Sequence, residues 1–217
     1  MMLSPGPRIC KVMITFDAGG EKTSIVNPRG DTTGFTYDPL GNVATQTNPA
    51  GKVATMTYDA AGRLITKVNA RGTSVSYGYD AADRRTSTTF PGGSIANAYD
   101  AAGRRTIMTD STGSTTFAYD AASNVTAVAA PQGTVSYAYD AANRRTAITL
   151  PGARTLGYTY DAANQLTGLT DWFNQTTSIS YTPDGLRSLM TRPAGVKTSY
   201  GYDNADRLTS VDNDGPS

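Results

Sequence analysis

Tyr58-Asp59-Ala60-Ala61-Gly62-Arg63-Leu64 is the stretch on which the reading turns, because its first two residues recur along the whole chain. Tyr-Asp pairs begin at Tyr37, Tyr58, Tyr79, Tyr99, Tyr119, Tyr139, Tyr160 and Tyr202, and Phe16-Asp17 and Tyr181-Thr182 are degenerate copies. Successive anchors lie 21, 21, 21, 20, 20, 20, 21, 21 and 21 residues apart. Self-similarity at a fixed period of this size marks a repeat architecture. All 13 tyrosines stand either at an anchor or two residues before one, as Tyr77, Tyr137, Tyr158 and Tyr200 do, so their placement carries structural information.

Around each anchor the pattern has period two. Val75, Tyr77 and Tyr79 alternate with Ser74, Ser76 and Gly78, and Val135, Tyr137 and Tyr139 with Thr134, Ser136 and Ala138. That alternation predicts strands with an aromatic face and a face of small or hydroxyl residues. The anchor is followed by Asp-Ala-Ala-Gly or a relative, and the fifth repeat position is Gly20, Gly41, Gly62, Asp83, Gly103, Ser123, Asn143, Asn164, Gly185 or Asp206. These residues favour turns or tolerate positive φ, which predicts a type I turn closed by a left-handed residue and a bulge. Half a period later Asn27-Pro28-Arg29-Gly30, Asn48-Pro49-Ala50-Gly51, Ala130-Pro131-Gln132-Gly133 and Arg192-Pro193-Ala194-Gly195 predict a second turn. Threonine-rich segments such as 63–69 and 144–150 supply the strands between. Each repeat is therefore expected to be a β-hairpin, and the chain an all-β, antiparallel meander of roughly twenty strands. A strip of that length is expected to curl, because open sheets beyond about ten strands do so. Residues 1–11 read as a non-repeat leader and 12–217 as about ten repeats of 20–21 residues in one continuous array.

Composition narrows the chemistry. Leu, Ile, Val and Phe make up 34 of 217 residues, which is low for a globular chain, but 13 tyrosines and a formal charge of +1 argue against disorder. Histidine is absent, cysteine and glutamate occur once each as Cys10 and Glu21, and 17 of the 18 acids are aspartate. Catalytic triads, zinc clusters and disulfide frameworks are excluded. No catalytic, cofactor-binding or metal-binding residue is assigned. Residues 1–13 contain no apolar run of signal-peptide length, and the near-neutral charge offers no broad attraction to nucleic acid or anionic lipid. Neither a nucleic-acid partner nor membrane insertion is expected.

The remaining motifs have plain structural readings. The repeated aspartates are expected to hydrogen-bond their own turns rather than to form a metal or acid/base array. Arg63, Arg84, Arg104, Arg144 and Arg207 share one position and are expected to form ladders with Tyr or Asp, the pairs Arg84-Arg85, Arg104-Arg105 and Arg144-Arg145 splitting between faces. Asp212-Asn213-Asp214-Gly215 has the front half of a calcium loop without the later bidentate acid, and reads as a hydrophilic turn. Trp172 and Phe173 replace Pro-Gly in one repeat, as a loop tip that contacts sugar or protein or as aromatics that fold back over a gap.

The Tyr-Asp-x-x-Gly-Arg-Leu core, with Gly72 following, resembles the YD repeat of the RHS (rearrangement hot spot) family, over nearly the whole chain. The resemblance implies a segment of an RHS-type spiral shell, such as those of bacterial polymorphic toxins, insecticidal toxin complexes and teneurins. It implies a non-enzymatic structural role: a wall that encapsulates a toxin domain or is displayed at the cell surface. Its partners would be the remainder of a larger RHS polypeptide and its toxin domain, and its location secreted or cell-surface, as part of a larger bacterial protein. The alternative it suggests is a carbohydrate-binding or adhesion module with a glycan or cell-surface receptor as partner. Bacterial shells generally end in a self-cleaving aspartyl segment; Asp38-Pro39-Leu40-Gly41 falls at an ordinary anchor and reads as a turn.

Overall fold

A computed structural model describes residues 11–215, and the leader and Cys10 lie almost wholly outside that range. The described residues contain twenty strands, and the chain divides after Thr112 into two compact units. The first holds β1 (Met13–Phe16), β2 (Lys22–Val26), β3 (Thr32–Tyr37), β4 (Val43–Thr47), β5 (Val53–Tyr58), β6 (Leu64–Val68), β7 (Ser74–Tyr79), β8 (Arg85–Phe90), β9 (Gly93–Tyr99) and β10 (Arg105–Asp110). Each pairs antiparallel with its successor, so the unit is a ten-stranded meander of hairpins. The second holds β11 (Gly113–Tyr119), β12 (Val125–Ala130), β13 (Gly133–Tyr139), β14 (Arg145–Leu150), β15 (Arg154–Tyr160), β16 (Leu166–Thr170), β17 (Thr176–Tyr181), β18 (Arg187–Thr191), β19 (Lys197–Tyr202) and β20 (Leu208–Asp214), joined in the same way.

The first turn has the predicted geometry at every repeat. All ten fifth-position residues have positive φ, from 60° at Asp83 and Asp206 to 86° at Gly185. Each anchor lies at a register shift: Thr57 faces Thr66 while Tyr58 faces Leu64, so Ile65 is the extra residue of a bulge. The second turn explains the two repeat lengths. In 21-residue repeats such as that of Asn48, the Asn48 N–H donates to the Lys52 carbonyl and Gly51 N–H to the Asn48 carbonyl, a turn closed by a left-handed glycine. In two 20-residue repeats the turn is only Pro91-Gly92 or Pro131-Gln132, flanked by the pairs Phe90↔Gly93 and Ala130↔Gly133. The missing residue is the bulge.

No hydrophobic side chain among the described residues is buried; Thr198, at 2% exposed, is the one polar side chain that is. Each unit is a single hydrogen-bonded sheet whose anchor tyrosines are half-buried and whose opposite face, with Thr57, Ala98 and Ala138, is exposed. On that small-residue face hydroxyls bond across strands, as Thr36 to Thr45 at 2.6 Å and Thr170 to Thr176 at 3.0 Å.

Successive second turns also touch. A Cβ added at Gly133, where φ is 134°, would lie 2.7 Å from Pro151 Cγ of the following repeat. Gly133→Ala therefore combines backbone strain with a clash against a rigid ring. It is expected to destabilise the protein by about 2 kcal/mol in urea unfolding, whereas Gly152→Ala, where nothing lies within 4 Å, should lose only the strain component.

Candidate functional site

The repeated constellation of this chain is a clamp between neighbouring hairpins, built on the Tyr-Asp anchor. The aspartate folds its own turn: Asp59 Oδ1 accepts the backbone N–H groups of Ala61 and Arg63, at 3.0 Å each. The same pair of bonds forms at Asp17, Asp38, Asp80, Asp100, Asp140, Asp161 and Asp203. One carboxylate oxygen thus satisfies two donors that the tight turn would leave open. The other oxygen accepts from an arginine: Arg63 Nε lies 2.7 Å from Asp59 Oδ2, and Arg84, Arg104 and Arg144 pair in the same way with Asp80, Asp100 and Asp140.

That pairing aims the guanidinium at the next repeat. Arg63 Nη1 donates to the Asp80 carbonyl at 2.9 Å and to Asp83 Oδ1 at 2.7 Å, while its guanidinium lies 5.0 Å from the Tyr79 ring centroid. Arg84 and Arg144 repeat this over Tyr99 and Tyr160, at 5.0 and 4.9 Å. The tyrosine reaches back in turn. Tyr79 Oη donates to the Leu64 carbonyl at 3.0 Å, and Tyr37, Tyr58, Tyr99, Tyr139, Tyr160, Tyr181 and Tyr202 donate likewise to the residue six after the preceding anchor.

The Arg-Tyr and Arg-Asp ladders read from the sequence are present, but the pairs Arg84-Arg85 and Arg144-Arg145 do not simply split between faces. Arg85 lies 6.0 Å from the Tyr77 ring and Arg145 5.3 Å from the Tyr158 ring, so both members of each pair engage tyrosines. The reason is that Arg84 and Arg144 leave the turn before their strands begin, where the alternation of a pleated strand does not apply. Asp38-Pro39-Leu40-Gly41 is an ordinary anchor turn, with Gly41 at φ 81°. Asp212, Asn213 and Asp214 lie in β20 rather than in a turn, and Asn213 Oδ1 accepts from buried Thr198 at 2.7 Å, which itself accepts from Arg192. Among the described residues no cluster of three or more His, Cys, Asp or Glu is placed to hold a metal ion. Phe173 is 70% exposed at its loop tip, and Trp172 sits beside it, 5.9 Å from the Arg154 guanidinium. Sequence reasoning missed two features: the tyrosine hydroxyl bond, and the second turns in which Asn27, Asn48, Asn69 and Asp171 accept backbone donors as the anchor aspartates do. The asparagines three residues before Gly30, Gly51 and Gly72 were the signal for the second.

These contacts hold the Asp38, Asp59, Asp80, Asp100, Asp140 and Asp203 carboxylates below their ordinary range. For Asp59 and Asp140 the backbone N–H four residues on contributes most and the arginine side chain adds to it, against partial desolvation; for Asp100 the Arg104 side chain contributes most. A carboxylate depressed on folding supplies stability above its unfolded pKa and loses it as the pH falls through the folded value. The urea midpoint is therefore expected to stay level from pH 8 to about 5 and to drop below about pH 4, and a midpoint that instead rose on acidification would contradict the clamp. Tyr79→Phe deletes only the bond to Leu64 and is expected to cost about 1 kcal/mol in the same assay at pH 7.

The RHS Repeat family matches residues 16–53, 58–95, 119–155, 139–176 and 181–216. No curated protein sequence matches the chain. Among solved structures, the crystal structure of TcdB2-TccC3-TEV superposes with a TM-score of 0.67 at 16% identity, covering 95% of this chain and 13% of that one. TcdB2-TccC3 without its hypervariable C-terminal region gives 0.67 at 17%, covering 94% and 13%, and a mutant Tc holotoxin pore of Photorhabdus luminescens 0.60 at 16%, covering 95% and 13%. The chain thus spans about an eighth of the length of these proteins. With the family matched over most of its length, and with the Tyr-Asp turn and Arg-Tyr clamp repeated along it, the chain belongs to the RHS repeat family, and it is a structural repeat protein.

Proposed function

We propose that this chain is a stretch of wall from a larger RHS polypeptide, one continuous array over residues 12–217 whose role is to enclose a toxin domain of that polypeptide. The observation that carries this reading is that hairpin after hairpin is tied to its neighbour by the same tyrosine hydroxyl bond, with no buried hydrophobic side chain among the described residues. Such an array draws its stability from neighbouring repeats rather than from a closed core, which suits a partition with two faces. Two further facts support it: similar structures extend far beyond the length of this chain, and one of them lacks a hypervariable C-terminal region that its parent carries. The role needs no catalytic group. Eight anchor aspartates are spent on near-identical turn bonds, and none stands apart as an acid or base would. A polypeptide of this kind would act at the cell surface or after secretion.

An antibody raised to the repeats, used on cells and culture medium with peptide mapping of the detected band, tests the reading. The expected result is a band many times larger than 22.8 kDa, associated with the surface or medium, whose map continues beyond these repeats. A band near 22.8 kDa confined to the cell interior would overturn it.

A further inference from the structure

The second unit carries two kinds of tyrosine on one face. The anchors Tyr139, Tyr160, Tyr181 and Tyr202 spend their hydroxyls on backbone carbonyls. Tyr137, Tyr158 and Tyr200, two residues before an anchor and so on the same face, make no hydrogen bond among the described residues, and their hydroxyls reach solvent. Exposed arginines from the strand before stand over two of these rings: Arg145 lies 5.3 Å from the Tyr158 ring centroid and Arg187 5.6 Å from that of Tyr200. Neither arginine forms an ion pair among the described residues, whereas Arg144, next to Arg145, holds Asp140 at 2.7 Å. Strands β11 to β19 contain no aspartate or glutamate; the acids of this unit stand in turns and in β20. Between the two Arg-Tyr pairs the same positions are apolar, Leu166 replacing the arginine and Ile179 the tyrosine, with Leu169 and Met190 opposite Tyr158 and Ile179. All four are half-buried. The line therefore reads cation, apolar stretch, cation, its ends four strand spacings or about 19 Å apart.

We infer that this line is a docking site for an extended, proline-rich peptide segment that carries two acidic side chains six residues apart. Six residues of polyproline II helix span about 19 Å, which sets one carboxylate on Arg145 and the other on Arg187. The polar groups the line leaves open, two guanidinia and two phenol hydroxyls, can all donate. A proline-rich segment answers with carboxylates and with outward carbonyls, and its prolines bring no N–H that would need an acceptor. Its apolar rings suit the stretch from Leu166 to Met190. The backbone of a sheet face is already paired in the ladder, so recognition falls to side chains, as it does in grooves that bind polyproline II. Single-stranded nucleic acid fits less well, since bases stack on open aromatic faces, and here the rings are capped by guanidinia and the centre is aliphatic. The site lies on a face, so hairpins added at either edge of the sheet would leave it open.

Fluorescence anisotropy of a labelled peptide, Glu-Pro-Pro-Leu-Pro-Pro-Glu, titrated with the full chain tests this. Saturable binding is expected, and Arg145→Ala and Arg187→Ala should each weaken it about fivefold. Lys197→Ala removes a positive charge from the opposite face and should leave it unchanged. A peptide with its glutamates three residues apart should bind no better than one with both replaced by glutamine. Arg187→Glu should prefer a peptide with lysine in place of one glutamate over the original, a reversal that loss of folding could not produce. No saturation by about 1 mM, equal effects of Lys197→Ala and Arg187→Ala, or no reversal with the charge-swapped peptide overturns the site. Tighter binding of heparin or of oligodeoxythymidylate, weakened by Arg145→Ala, overturns the choice of occupant. The native band size is read separately, so the wall reading and this site stand or fall independently.

Discussion

The anchor aspartate has two oxygens and uses them for two different jobs, and most of the structure follows from that division. Oδ1 closes the turn by accepting two backbone donors, which fixes where the chain reverses and which residue must be left-handed. Oδ2 holds the arginine by Nε, leaving Nη1 free to point along the sheet toward the next repeat. A guanidinium is suited to this because its donors are rigidly spread and its flat face stacks on an aromatic ring, which an ammonium on a flexible stem would not reproduce. The turn and the inter-repeat contact are therefore one unit. Shifting the aspartate by one residue would misplace both.

A sheet without a core needs such a device. The apolar burial that stabilises most domains is largely missing here, and the backbone ladder alone does not specify which hairpin follows which. The clamp supplies that order through partially covered, directional contacts, each of them individually modest. The bulge at each anchor gives the tyrosine two opposing residues, and the hydroxyl then ties it to the preceding repeat. On the opposite edge, glycine and proline of successive turns meet where the repeat is shortest, as Gly113 does with Pro131. Stability of this kind passes from neighbour to neighbour, and it ends abruptly at an edge strand unless something continues it.

Much of this was legible in the residues. The 20–21-residue period placed every anchor, the glycine, asparagine, aspartate and serine at the fifth position announced the left-handed residue, and the alternation about Tyr79 announced the strand. The shared position of Arg63, Arg84 and Arg144 announced a ladder, though not that it runs to the following repeat. The destination of the tyrosine hydroxyl was not legible, because a hydroxyl names no acceptor and a backbone carbonyl carries no sequence signature. The strand at Asp212-Asn213-Asp214 was hidden for a related reason: its polar residues look like a loop, and pairing with Lys197, Thr198 and Ser199 overrides that preference.

By itself the sequence determined the local geometry, since φ preferences, turn side chains and period-two patterning act over a few residues. It also determined that histidine-based triads, zinc clusters and disulfide frameworks have nothing to build on, because histidine is absent and cysteine occurs once. Only the tertiary structure decided that the tyrosines make no closed core, and that neighbouring repeats are tied by a tyrosine hydroxyl to a backbone carbonyl and, where the sequence supplies Arg63, Arg84 or Arg144, by the guanidinium as well. Those facts depend on which hairpin lies alongside, and that is set by contacts 14–20 residues apart rather than by any local preference.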